Sequence, residues 1–263
     1  MNRTITGNRA SIRNPSSIAL LSISFALIPT FVWWVGRQER LNRPAIIPNS
    51  LWRNRVFTAI CLSVFLTWGS FNALETILTF YFQDVQHLTA TEASLRFLPA
   101  PVSGALSNIV VGLIVHKVHA NWLCLGGTAI AASAPLVMAF ATPTSPYWTT
   151  AFIANISNPV GADSLFTVAN LLITSVFPPK TQALAGGVFN TVSQIGKSVG
   201  LALNAVLAAS VTAKTLYADK ESPEALMRGY NATFWFCLGL IALTFNTCLW
   251  GLRDVGKVGH KRD

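Results

Sequence analysis

The sequence predicts an all-α, polytopic helical membrane protein, and composition, apolar runs and charge placement carry that expectation. Hydrophobic residues make up 52% of the 263-residue chain and charged residues only 11%, whereas a soluble domain carries about 25% charged residues. Seven long apolar stretches follow one another: Ile18–Val35, Phe57–Phe82, Phe97–Val115, Trp122–Phe140, Trp148–Ile173, Ala183–Val211 and Asn231–Leu252. Each reaches the roughly 17–25 residues that a helix needs to cross a bilayer, and the longest can tilt or overhang. Backbone groups in lipid must bond within their own segment, so each stretch is expected to be a helix.

Along the chain, residues 1–17 form an N-terminal tail with Arg3, Arg9 and Arg13. Such a lead resembles a signal peptide, but the following run, 18–35, is long for one. Val35–Gly36–Arg37–Gln38 is also a poor small-residue cleavage site, so no cleaved signal peptide is expected. Residues 36–56 read as a basic surface linker: Pro44 and Pro48, the turn-prone Asn49–Ser50 and the interfacial Trp52 lie among arginines. A six-helix block, 57–252, follows, then a tail at 253–263. Pro99 and Pro101 stand where a helix tolerates proline, at its start. Pro135 and Pro159 lie inside spans and kink them; neighbouring helices can bond the freed backbone groups. Cys61, Cys124, Cys237 and Cys248 all fall in spans without a C-x-x-C pair and read as small packing residues.

Lys and Arg in the connections set orientation. Alternate connections carry eleven on one side and four on the other, namely Arg96, Lys214, Lys220 and Arg228. The richer side is expected in the cytoplasm, with the C-terminus there and Thr142–Tyr147 and Thr215–Gly229 outside. Seven spans then put the N-terminus outside, where its three arginines oppose the rule. The net charge of +9 forms no long basic run or aromatic-interleaved patch, so membrane topology explains it and nucleic acid is not an expected partner.

Ionisable groups at membrane depth cost about 2.5–3.5 kcal/mol each, so they face a bundle interior or a water-filled path. Glu75, Asp163 and Lys197 are the three in spans. Trp68, Asn72, Glu75 and Thr79 share one helix face, as do Asn190, Gln194, Lys197 and Asn204. Asn155, Asp163 and Asn170 lie within about a quarter turn of one another at roughly 100° per residue. Three polar faces imply a shared aqueous cavity; the competing reading for each residue is an interhelical hydrogen bond or ion pair.

The sixth stretch also carries Gly187-x8-Gly196-x3-Gly200, and its G-x-x-x-G step permits close approach of another backbone. Gly196–Lys197–Ser198–Val199–Gly200 matches a nucleophile elbow, but an apolar helix offers neither its strand-turn-helix setting nor triad partners. A phosphate-binding loop fails because position 191 is Thr. His116 and His119 have no further metal ligand nearby in sequence. No enzyme activity, metal or cofactor is therefore expected. Asn2, Asn155 and Asn231 head glycosylation-acceptor triplets, the middle one inside a span.

These residues resemble the major facilitator superfamily, specifically the fungal fourteen-span drug:proton antiporter branch, whose two six-helix halves are joined by two extra helices. The likeness starts in the second extra helix, passes through Ser50–Leu51–Trp52–Arg53–Asn54–Arg55 and covers the C-terminal half. Gly187-x8-Gly196-x3-Gly200 is similar to the antiporter motif G-x8-G-x3-G-P-x2-G-G, with Leu201 at the Pro position and Leu203–Asn204 at the last glycines. Gly112–Leu113–Ile114–Val115–His116–Lys117 resembles G-x-L-A-D-[RK], with His116 at the Asp position.

The resemblance implies a transporter half that exports small amphipathic compounds or drugs in exchange for protons, in a plasma or vacuolar membrane. It also implies a truncated product, a gene-model fragment, or one half of a pair assembling in trans. The implied partners are the lipid bilayer, a small-molecule substrate, protons, and an N-terminal half or a full-length relative. Glu75 is the expected proton-coupling carboxylate, since a carboxylate held away from water can load and unload a proton. The alternative is a non-transporting membrane protein that binds or regulates a full-length transporter.

Overall fold

The computed structural model describes Thr30, Trp33, Trp34, Arg37, Leu41 and residues 49–253. The chain divides into two units, 1–54 and 55–263. In the first, a 3-10 turn spans Asn49–Arg53, and the Arg37 guanidinium lies 5.6 Å over the Trp33 ring.

The second unit is wholly helical among its described elements. Helix α1 is Arg55–Phe80, continued by a π turn at Tyr81–Val85; α2 is Ala90–Phe97, α3 Pro99–Ile114 and α4 Ala120–Ala139. Then come α5, Ala151–Val176, α6, Pro179–Lys214, and α7, Pro223–Gly251. Local chemistry sets these ends. Thr89 caps α2 by a reciprocal capping box with Glu92, while Pro99, Pro179 and Pro223 open α3, α6 and α7, where the missing N–H is not needed.

The expected seven helices become six membrane-length runs here, with α2 and α3 counted as one. The stretch Ile18–Val35 lies, apart from Thr30, Trp33 and Trp34, outside the described residues. Among the described residues, five runs are long and apolar enough to cross a bilayer: Arg55–Val85, Ala90–Ile114, Ala120–Ala139, Thr181–Lys214 and Pro223–Gly251. Helix α5 has the length but carries Asn155, Ser157, Asn158, Asp163, Ser164 and Asn170, which lower its hydropathy. These make it an inner helix, satisfied by protein rather than by lipid. Real helices also overrun their apolar cores. The stretch Ala183–Val211 is a 36-residue helix, and the expected connection Thr215–Gly229 is already helical from Pro223.

Helix α1 is the hub, packing on α5, α6 and α7; α4 packs on α5 and α7, and α3 on α5. Small residues make the crossings. A Cβ at Gly196 would overlap the Phe65 backbone, and one at Gly200 the Gly69 backbone, so α6 rests directly on α1. Gly127 and Gly161 seat α4 on α5, and Gly229 seats α7 on Ala208 and Thr212 of α6. Without a hydrophobic driving force between helices in lipid, such close backbone contact supplies the dispersion that holds them.

Cross-contacts identify the two ends of the bundle. At one, the Tyr81 hydroxyl donates to the Thr142 carbonyl (3.2 Å), the Tyr147 hydroxyl to the Arg96 carbonyl (2.8 Å), and Asn231 Nδ2 to the Ala141 carbonyl (3.4 Å). At the other, Phe57 meets Phe177 edge to face at 5.3 Å and Gly251 abuts Ala59. Connections 86–89, 140–150 and 215–222 thus share an end, in the alternation that the charge count requires.

Candidate functional site

Three ionisable side chains converge from three helices. Glu75 of α1 is half-buried, and the charges of Lys197 on α6 and Asp163 on α5 both act on it. Asp163, also half-buried, presses its Oδ2 against Gly104 of α3, where a Cβ would come within 2.5 Å. A side chain at that position would require the carboxylate to swing aside. Lys197 is exposed, and its electrostatic partner is Glu75. Two carboxyl groups and one ammonium group thus share this part of the bundle.

Aromatic rings form one wall. Trp68 lies 5.3 Å from Phe71 and 5.6 Å from Phe166, and Phe166 lies 5.1 Å from Phe189 of α6. Ring pairs of this kind add about 0.5–1.5 kcal/mol beyond their buried area. Buried Asn158 reaches across to the Phe71 carbonyl at 3.4 Å, one residue before Pro159 interrupts α5. These phenylalanines and Asn158 were not singled out from the sequence, because a phenylalanine in a span reads equally as lipid-facing.

The remaining residues with sequence expectations divide between this site and the packing around it. Half-buried Asn72 donates to the Trp68 carbonyl at 2.9 Å, within its own helix, beside the charged cluster. Asn190 and Gln194 are exposed on α6, two turns and one turn before Lys197 respectively. Asn204, seven residues beyond Lys197, is instead buried: it donates to the Gly200 carbonyl and accepts from the Cys237 thiol of α7 at 3.5 Å. Asn155 is buried at the bundle end, donating to the Arg96 carbonyl at 2.9 Å, away from Asp163. Gly196 and Gly200 make the close crossing with α1, whereas a Cβ at Gly187 would meet nothing within 4 Å.

Arg96 organises that bundle end. Its guanidinium lies 5.5 Å over Phe82 and 5.2 Å over Tyr147, and Nη1 donates to Gln86 Oε1 at 2.6 Å. The Arg96 carbonyl, in the last turn of α2 where a helix leaves its final carbonyls without intrahelical partners, accepts from both Tyr147 and Asn155. Tyr147 itself, in the connection, has its phenol pKa raised by burial.

Comparison with known proteins agrees with this architecture. The family model described as Major Facilitator Superfamily matches residues 15–201. MFS-type transporter 1 of Pyricularia oryzae is 44% identical over 264 residues, covering 93% of this chain and 43% of that protein. The methylenomycin A resistance protein of Streptomyces coelicolor is 28% identical, covering 72% of this chain and 44% of that protein. The major facilitator superfamily multidrug transporter mfsC of Aspergillus fumigatus is 27% identical, covering 94% and 48%. The chain therefore spans a little under half the length of these curated relatives. With membrane-length helices, a polar site among them and a family match over most of its length, the chain belongs to the Major Facilitator Superfamily, a family of membrane transporters.

Proposed function

We propose that this chain forms one half of a proton-coupled exporter of small amphipathic compounds, with Glu75 as the proton-coupling carboxylate. The observation that carries the reading is the convergence of Glu75, Asp163 and Lys197 from three helices at membrane depth. Ionised Glu75 attracts Lys197; protonation cancels that attraction, so proton binding alters the electrostatic tie between α1 and α6. A cationic substrate head competes with the proton for Glu75 and Asp163. Its apolar body rests on Trp68, Phe71 and Phe166, with Asn72, Asn190 and Gln194 offering hydrogen bonds. The mfsC and methylenomycin relatives, named for multidrug transport and drug resistance, support this substrate class.

The site is open toward the exposed face of Lys197, Gln194 and Asn190. Charge facing hydrocarbon there would be costly, so a second membrane element closes it, in the manner of superfamily sites that lie between two repeats. Residues 57–252 are the transporter half, 36–56 a cytoplasmic linker, and the Arg96 end faces outward from a plasma or vacuolar membrane. Proteoliposomes holding the chain, alone or beside its complementary half, should expel a cationic dye when a pH gradient is imposed. Glu75→Gln should abolish the gradient dependence, while Glu92→Gln, in the exposed capping box, should not. Gradient-driven efflux by Glu75→Gln at the unmutated rate rules out Glu75 as the coupling group.

A further inference from the structure

The four cations on the sparser side of the charge count fall into three environments. Arg96 is stacked between Phe82 and Tyr147, and Lys220 Nζ donates to the Thr215 carbonyl. The other two, Lys214 and Arg228, both exposed, line a single cavity of about 470 Å³ between the end of α6 and the start of α7. Val211, Thr215, Leu216 and Tyr217 complete its lining. Asp219, Glu221 and Glu224 belong to the same segment but none of them lines the cavity, and Asp219 Oδ1 is engaged by the Glu221 N–H. Cationic groups and apolar walls with no lining carboxylate select an anion that carries an apolar tail.

A track for such a tail leads away from the cavity. Val199, Leu203 and Val206 are exposed on α6 at steps of four and three, and the same face continues through Ser210 to Lys214. Lys214 is the last residue of α6, beyond the exposed apolar positions of this face. We propose that this cavity binds an anionic phospholipid, with the phosphate held between Lys214 and Arg228 and an acyl chain lying along Val206, Leu203 and Val199. The competing account is that both cations merely extend toward water, their stems covering apolar surface; that account provides no discrimination between headgroups.

The full chain purified in mild detergent, titrated with phosphatidylglycerol, phosphatidylcholine or inorganic phosphate and read by native mass spectrometry, separates the two. Each cation supplies a charge-assisted contact to the phosphate, so Lys214→Ala with Arg228→Ala should weaken phosphatidylglycerol binding by roughly tenfold or more. Lys220→Ala should leave it unchanged, and Lys214→Arg with Arg228→Lys should retain it, which checks folding. Equal binding of phosphatidylcholine, or unchanged phosphatidylglycerol binding in the double alanine variant, overturns the proposal. Inorganic phosphate that displaces the lipid at comparable concentration would make the ligand a soluble anion and overturn the lipid assignment.

Discussion

Replacing Gly200 with alanine places a methyl group inside the backbone of Gly69, overlapping its Cα, C and O. None of those atoms is the end of a flexible side chain, so α1 and α6 themselves must part, by about 1 Å. A gap of that size forfeits a quarter to a half of each dispersion contact across the crossing, and overpacking of this kind costs about 1–3 kcal/mol. Alanine also raises intrinsic helix propensity by up to about 1 kcal/mol. Gly187 lies in the same helix, where an added Cβ meets nothing within 4 Å, so Gly187→Ala retains the propensity gain alone. Comparing the two variants cancels that gain and leaves a difference of about 1–3 kcal/mol, with Gly200→Ala the less stable. At roughly 2–4 °C per kcal/mol for a unit of this size, thermal unfolding followed by tryptophan fluorescence in detergent resolves it. Equal melting temperatures for the two variants would refute the direct backbone crossing.

Two more expectations concern the bundle end around Arg96. Arg96→Ala removes both ring contacts and the Gln86 hydrogen bond, and should cost about 2–3 kcal/mol by urea or thermal unfolding; Arg96→Lys, which loses the planar fork, should recover only part. Single cysteines at Thr144 and Ser222 should react with an impermeant thiol reagent in intact cells while one at Lys117 should not, and the reverse pattern would invert the proposed topology; the four native cysteines are buried and should contribute little background.

Much of the architecture was legible from composition, because a segment that crosses hydrocarbon must be long, apolar and internally bonded. Phe57–Phe82, Trp122–Phe140 and Asn231–Leu252 each lie on an observed helix to within a few residues, apart from the amphipathic start of α7 at Pro223. Helix ends were less legible. Hydropathy falls off where a helix leaves the membrane, whereas backbone hydrogen bonds continue, so α6 runs from Pro179 to Lys214. The break at Leu98 between α2 and α3 was marked by Pro99, but the donors to the Arg96 carbonyl at the end of α2, Tyr147 and Asn155, lie 51 and 59 residues further along the chain.

The sequence by itself determined the class, the placement of the spans in the described unit and the three charged groups within them. Those follow from transfer free energies that each segment carries alone. Tertiary structure decided which of the periodic residues act together. Lys197 and Asn204 share a helical face by spacing, yet one is exposed near Glu75 and the other is buried against Cys237. Gly187, Gly196 and Gly200 belong to one pattern, yet only the last two touch α1. Helices cross at an angle, so neighbours along one face meet different partners at different depths, and that angle is set by packing between segments rather than by any one of them.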